Sequence, residues 1–193
     1  MDLTQGTQTE KQERAKKMML WFGIISLIMS FAGWTSAFVV SSSREDWLHT
    51  FELPAAFTLS TVLIILSSIT FWLSGRFLKQ GNRKATTVGL LTTLALGIGF
   101  IYTQFTGFEQ IIAQGYNFTG PTSNVTMSFI YLIAVVHILH VVAGIICLCV
   151  VIYNHFKQKY KPTERLGFEL AATFWHFVDL LWLYLFLFLY FFR

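Results

Sequence analysis

Five long apolar stretches separated by shorter polar ones run along the chain, over 18–40, 53–75, 85–106, 127–153 and 169–192. A hydrocarbon core about 30 Å thick takes about 20 mostly apolar residues per helical crossing, at about 1.5 Å per residue. The pattern predicts an all-α integral membrane protein: a polar tail over 1–17, then a single five-transmembrane-helix bundle over 18–193. The first stretch is too long for a signal-peptide core and no small-residue cleavage site follows it, so it is read as a retained anchor.

Within the stretches, small residues fall at helical spacing. Gly23, Ser26, Ser30, Gly33 and Ala37 form one stripe in the first, and Ser60, Ser67 and Ser74 recur every seven residues in the second. Such stripes let helices approach closely where lipid removes the hydrophobic drive, so both are assigned to tight packing inside the bundle. Cys147 and Cys149, two apart on one helix, point to opposite sides and are also assigned to packing.

Composition agrees with this reading: 54% of the 193 residues are hydrophobic and only 12% are charged. The net charge of +4 matters less than its placement, because 12 of the 14 basic residues lie before the first stretch or in the second and fourth connections. Only Arg44 and Arg193 lie on the other side. By the positive-inside rule the N-terminus is cytoplasmic and the C-terminus outside. The basic charge is thereby spent on topology, and no nucleic-acid partner is expected. The longest outer connection holds Asn117-Phe118-Thr119 and Asn124-Val125-Thr126, which match the glycosylation acceptor pattern.

The chemistry that stands out is ionisable and lies within the membrane. His137 and His140 are one turn apart in the fourth stretch, with Gly144 a further turn along that face. Glu169, His176 and Asp179 share one face of the fifth, which also carries Trp175 and Trp182. An aspartate near a helix centre costs about 2.5–3.5 kcal/mol, so Asp179 needs a partner. His140 lies 13 residues inward from Met127, and Asp179 lies 13 inward from Phe192. That puts both about 20 Å below the outer surface, with His140 the expected partner and His137 the alternative. Three uses are open: cofactor ligation, a proton path or transport site, and a hydrogen-bonded polar core that orients helices or meets a partner subunit. Haem ligation lacks matched-depth histidines on facing helices, and no CxxCH is present. No paired Gly or Pro interruption marks a transporter.

FELAATFWHFVDLLWLYLFLFLY resembles the last-helix pattern of subunit III of the haem-copper terminal oxidases, and HILHVVAG is similar to the histidine pair of that family's preceding helix. Leu53-Pro54 with Ser60-Thr61 and Ser67-Ser68 is similar to a third segment, with Ser60 in place of an asparagine, and Phe100 and Gln104 fit part of a fourth, with Gly107 and Phe108 where a Glu and a Tyr are expected. The likeness is to the short five-helix bacterial form. In ISLIMSFAG, Leu27 stands where the family has a buried carboxylate, so no role of that carboxylate carries over.

The resemblance implies a non-catalytic subunit of a respiratory oxidase that reduces oxygen to water. No redox centre is expected on this chain, the haem and copper belonging to partner catalytic subunits. Subunit I is the main expected partner, with subunit II, small subunits and a larger supercomplex with the quinol-oxidising complex beside it. Phospholipid binding, support of proton uptake and a bacterial inner (cytoplasmic) membrane location are implied in the same way. His137, His140, Glu169, Trp175, His176, Asp179 and Trp182 would then form the polar core or a lipid or subunit contact. The alternatives are subunit III of a quinol oxidase, a nitric-oxide-reductase-associated homologue and, in another class, a free-standing haem or metal membrane enzyme.

Overall fold

The computed structural model describes residues 7–48, 53–118, 120, 123–160 and 165–192. It consists of five helices: α1 (Gln8–Ser41), α2 (Ala55–Lys79), α3 (Arg83–Ala113), α4 (Val125–Phe156) and α5 (Leu166–Phe191). Each is long and apolar enough to cross a membrane. Most outrun the stretches expected from hydropathy, because polar turns at their ends stay helical. Thr7 and Glu10 close a capping box well before the apolar run of α1. The side chains of Asn82 and Asn124 accept hydrogen bonds from Ala85 N and Thr126 N at the starts of α3 and α4. Gly81, at φ +74°, makes the tight turn between α2 and α3, a conformation other residues adopt only with strain.

α2 and α3 lie against each other along their length because small and hydroxylic residues face one another. Thr70 and Thr93 exchange a hydrogen bond of 2.8 Å, and Gln104 donates to Ser60 at 2.9 Å. A Cβ at Gly89 would collide with Ser74, and one at Gly107 with Phe57. The Ser60, Ser67 and Ser74 stripe is completely buried, as its seven-residue repeat predicts.

The stripe on α1 behaves otherwise. Gly23, Ser26, Ser30 and Gly33 all face out of the bundle, and a Cβ at Gly23 or Gly33 would meet nothing within 4 Å. α1 docks through its other side, where Ile24, Phe31, Thr35 and Phe38 are buried, and Thr35 meets the Tyr184 hydroxyl of α5 at 3.2 Å. Periodicity gave the stripe without saying which side of the helix had neighbours. Cys147 and Cys149 are likewise exposed on α4, which corrects their assignment to packing.

At the end away from the basic loops, the α1–α2 connection is tied to the start of α4. Asn124 Nδ2 donates to Asp46 O at 3.0 Å, and Leu48 N donates to Thr126 Oγ1 at 3.0 Å. The Arg44 guanidinium on Asp46 holds that carboxyl below its ordinary range. Asn124 is thus committed to a helix cap and a loop staple, whatever its match to an acceptor pattern.

Candidate functional site

α5 is the helix around which the buried chemistry is arranged. Two fully buried tryptophans on one face anchor it, seven residues apart. Trp175 sits in a socket made by the absence of side chains. A Cβ on Gly97 of α3 would come within 2.8 Å of its ring, and one on Gly144 of α4 within 3.1 Å. Its indole N–H donates to Ser67 of α2 at 3.0 Å. Trp182 donates to Thr61 Oγ1 of α2 at 3.0 Å and packs on Phe57, Phe100 and His137. Each indole N–H thereby finds an acceptor that lipid does not supply.

Asp179 lies between these two anchors along the chain and is 6% exposed. Its partner is Ser68 of α2, which also meets His176 Nδ1 at 2.6 Å. The Ser68 hydroxyl thus stands between the Asp179 carboxyl and His176 Nδ1. Asp179 Oδ2 makes no hydrogen bond among the described residues. The expected pair with His140 is replaced by this arrangement. Depth alone matched His140 to Asp179, but the Asp179 face of α5 turns toward α2, and His140 returns its Nδ1–H to Val136 O one turn back, at 2.7 Å.

His137 is completely buried, and neither ring nitrogen has a hydrogen-bond partner among the described residues. The imidazole is enclosed by aromatic rings of three helices, Phe31 at 6.3 Å, Phe100 at 5.9 Å and Trp182 at 5.1 Å between centroids. Phe31 also packs on His140 at 5.7 Å. Leu27 is half-buried one turn before Phe31 on α1, so an acidic side chain at that position would lie close to the turn that carries the two imidazoles.

Glu169 stands at the basic end of α5, its Oε1 accepting from Arg165 Nε at 2.6 Å, and it shares a groove with His176. Of the seven residues singled out from sequence, Glu169 and His176 thus line one groove, His176 and Asp179 meet on Ser68, and His137 meets Trp182. His140 shares Phe31 with His137, and Trp175 shares Phe71 with His176. Sequence reasoning left Ser68 without a role and missed the glycine socket. The buried stripe of Thr86, Leu90, Thr93, Gly97, Phe100, Gln104 and Gly107 on α3, at spacings of three and four, carries the signal that finds the socket. Among the described residues no three His, Cys, Asp or Glu side chains gather at one point.

The geometry is that of a bundle in which many membrane-buried polar groups meet one another while both His137 nitrogens, Asp179 Oδ2 and Gln104 Oε1 have no partner among the described residues, and comparison with known proteins gives it a family. The model of cytochrome c oxidase subunit III matches residues 4–193. Cytochrome c oxidase subunit 3 of Papio hamadryas is 32% identical over 204 residues, covering 96% of this chain and 73% of the relative. Subunit 3 of the cytochrome bo(3) ubiquinol oxidase of Pseudomonas putida is 29% identical over 161 residues, covering 83% and 74%. The Loxodonta africana cytochrome c oxidase subunit 3 is 32% identical over 193 residues, covering 93% and 70%. This multi-pass membrane chain belongs to the cytochrome c oxidase subunit III family of the haem-copper oxidases.

Proposed function

We propose that the chain is a non-catalytic third subunit of a cytochrome c oxidase, holding the catalytic subunit in a working state without a redox centre of its own. One observation carries the reading: the membrane-embedded histidines and aspartate face the bundle itself. His137 is packed by three aromatic rings, His176 and Asp179 converge on Ser68, and His140 is tied to its own helix. A haem-ligating imidazole needs an open side for the macrocycle, and a ring enclosed as His137 is has none.

Phospholipid fits the wedge between the start of α1 and the α4–α5 pair. Its walls are apolar, from Leu20, Ile146, Val150 and Phe174, and its mouth carries Asn154 and Tyr160. The Tyr160 phenol is pushed above its usual range by burial. A lipid there would join α1 to the rest of the bundle and to a neighbouring subunit. Support of proton uptake comes under the same reading, through stabilising the complex and not through the Leu27 position, which has no carboxylate.

Affinity purification from mild detergent tests the assignment. Subunits I and II are expected to come with the chain, while the chain stripped of them shows no Soret band and no stoichiometric copper or iron. A haem spectrum on the stripped chain overturns it. The Pseudomonas putida likeness supports a second reading, a quinol oxidase, and the identity of the co-purified subunit II separates the two.

The placement of basic residues supports a cytoplasmic N-terminus and an external C-terminus, and the likeness to the Pseudomonas putida subunit supports a bacterial cytoplasmic membrane. In a background lacking Cys147 and Cys149, Gly120→Cys is expected to react with an impermeant maleimide on intact cells, and Gln80→Cys only after permeabilisation. The reverse pattern inverts the topology.

A further inference from the structure

A groove of about 360 Å³ lies between α2 and α5 at the basic end, on a face that the α1 wedge does not share. Its walls are largely aromatic, from Phe71 and Trp72 of α2 and Phe168 of α5. Phe71 and Phe168 meet edge to face at 5.3 Å, and a Cβ on Gly75 would stand 3.1 Å from the Phe168 ring, so glycine keeps that wall flat.

Two polar groups on these walls are left with hydrogen-bonding capacity, and they sit at different depths. The deeper is His176, half-buried, whose Nδ1 is fixed by Ser68 at 2.6 Å while Nε2 has no hydrogen-bond partner among the described residues. Phe71, at 5.9 Å between ring centroids, supports the imidazole from the side. The shallower is Arg76. Its guanidinium lies 4.9 Å over the Trp72 ring, which orients it and leaves its N–H donors without a protein acceptor among the described residues. His176 is level with Ser68 and the guanidinium with Trp72, four residues further along α2. The two groups are therefore offset by one helical turn, about 6 Å along the helix axis.

Flat walls with a hydrogen-bonding group one turn apart at either end suit a flat ring that carries oxygen on opposite edges. An imidazole nitrogen donates to a carbonyl or accepts from a hydroxyl according to which nitrogen holds the proton, and the Ser68 hydroxyl can complement either state. A guanidinium donates to both kinds of oxygen. An acyl chain offers His176 nothing, and a sterol brings a single hydroxyl where two polar groups wait. On the lipid side the groove continues past Trp72 onto the exposed Ile69 and Ile65, a track for an apolar tail.

We propose that this groove binds one molecule of a membrane quinone, with one ring oxygen on His176 Nε2, the opposite oxygen on Arg76 and the tail leaving over Ile69 and Ile65. The site is made of this chain's residues alone, so it stands whether the assembly takes electrons from cytochrome c or from a quinol.

The full-length chain in detergent, titrated with decyl-ubiquinone, tests it through quenching of tryptophan fluorescence, and subtracting the Trp72→Phe signal isolates the groove. Saturable loss of the Trp72 component is expected. His176→Phe, which keeps a ring and removes its nitrogens, and Arg76→Gln, an exposed change, should each raise the half-quenching concentration about tenfold, the loss of one hydrogen bond. Lys84→Gln, another exposed charge at the same end, should leave it unchanged. Excess decylbenzene, with the same tail and a ring lacking oxygen, should not restore the fluorescence, and neither should phosphatidylglycerol. Recovery with decylbenzene overturns the site in favour of a merely apolar groove, and recovery with phosphatidylglycerol does so in favour of a lipid. Quenching that never saturates is partition into the micelle and overturns it as well. If His176→Phe loses the near-ultraviolet circular dichroism of the parent, Arg76→Gln decides, and unchanged binding in that variant overturns the site. None of these outcomes touches co-purification with oxidase subunits, which tests the family role.

Discussion

Trp175→Ala is expected to destabilise the isolated bundle by about 3–5 kcal/mol, the range for emptying a fully buried tryptophan site. The ring fills the space left by Gly97 and Gly144 and rests on Phe71 at 6.3 Å, so its removal separates α2, α3 and α4 from α5 together. It also leaves Ser67 Oγ without the indole donor that reaches it at 3.0 Å. In lipid the cost comes from lost van der Waals contact and an orphaned hydroxyl, not from exposure to water. Filling the socket from the other side gives a matching result. Gly97→Leu, whose Cβ alone would stand 2.8 Å from the ring, should cost about 1–3 kcal/mol by overpacking. A Cβ at Gly33 meets nothing within 4 Å, so Gly33→Leu should leave stability unchanged. Thermal unfolding in one detergent, followed by near-ultraviolet circular dichroism, ranks the three. A Trp175→Ala midpoint equal to that of Gly33→Leu would remove the socket from the account.

The contrast between Gly97 and Gly33 marks how far the sequence could be read. Five crossings were legible because hydropathy over about 20 residues is set by the bilayer, independent of what each helix touches. Their ends were less so, since the 8–17 segment of α1 continues the helix on capping and charge, with no apolar signal. Which side of a helix faces protein is a tertiary property. On α2 the serine repeat coincided with the buried side, but on α1 the same kind of spacing fell on the outer side, and no local feature of Gly23 or Gly33 differs from Gly97. Lipid and protein are both apolar surroundings, so the one-sided apolar pattern that orients a helix in a soluble protein is nearly silent here. For the same reason the demand of Asp179 for a partner could be deduced from its transfer cost, while the partner could not. Among helices of similar depth, the choice between His140 and Ser68 rests on a rotation of α5 that only the packed bundle fixes.

That choice makes the response of Asp179 to substitution specific. Asp179→Asn keeps an amide oxygen to accept from Ser68 and nearly the same volume, so assembly and oxidase turnover are expected to stay within about twofold of the parent. Asp179→Leu removes the acceptor while Ser68 and His176 stay buried or half-buried beside it. The lost partner costs about 1–3 kcal/mol, and the branched side chain must fit between Trp175 and Trp182. The subunit should then wash off the affinity-purified complex at lower detergent, with the haem spectrum of the remaining subunits unchanged. Because the loss stems from an unmatched partner, adding Ser68→Ala to Asp179→Leu should recover part of the retention, a coupling that independent sites would not show. A His140→Ala change in the same background should add to the defect without such recovery, since His140 bonds within α4. If Asp179→Asn by itself abolished turnover in a complex that kept all its subunits, the carboxylate would be carrying protons and its structural assignment would be wrong. If Ser68→Ala failed to rescue while His140→Ala did, the partner would be His140 after all, and α5 would have to be rotated toward α4.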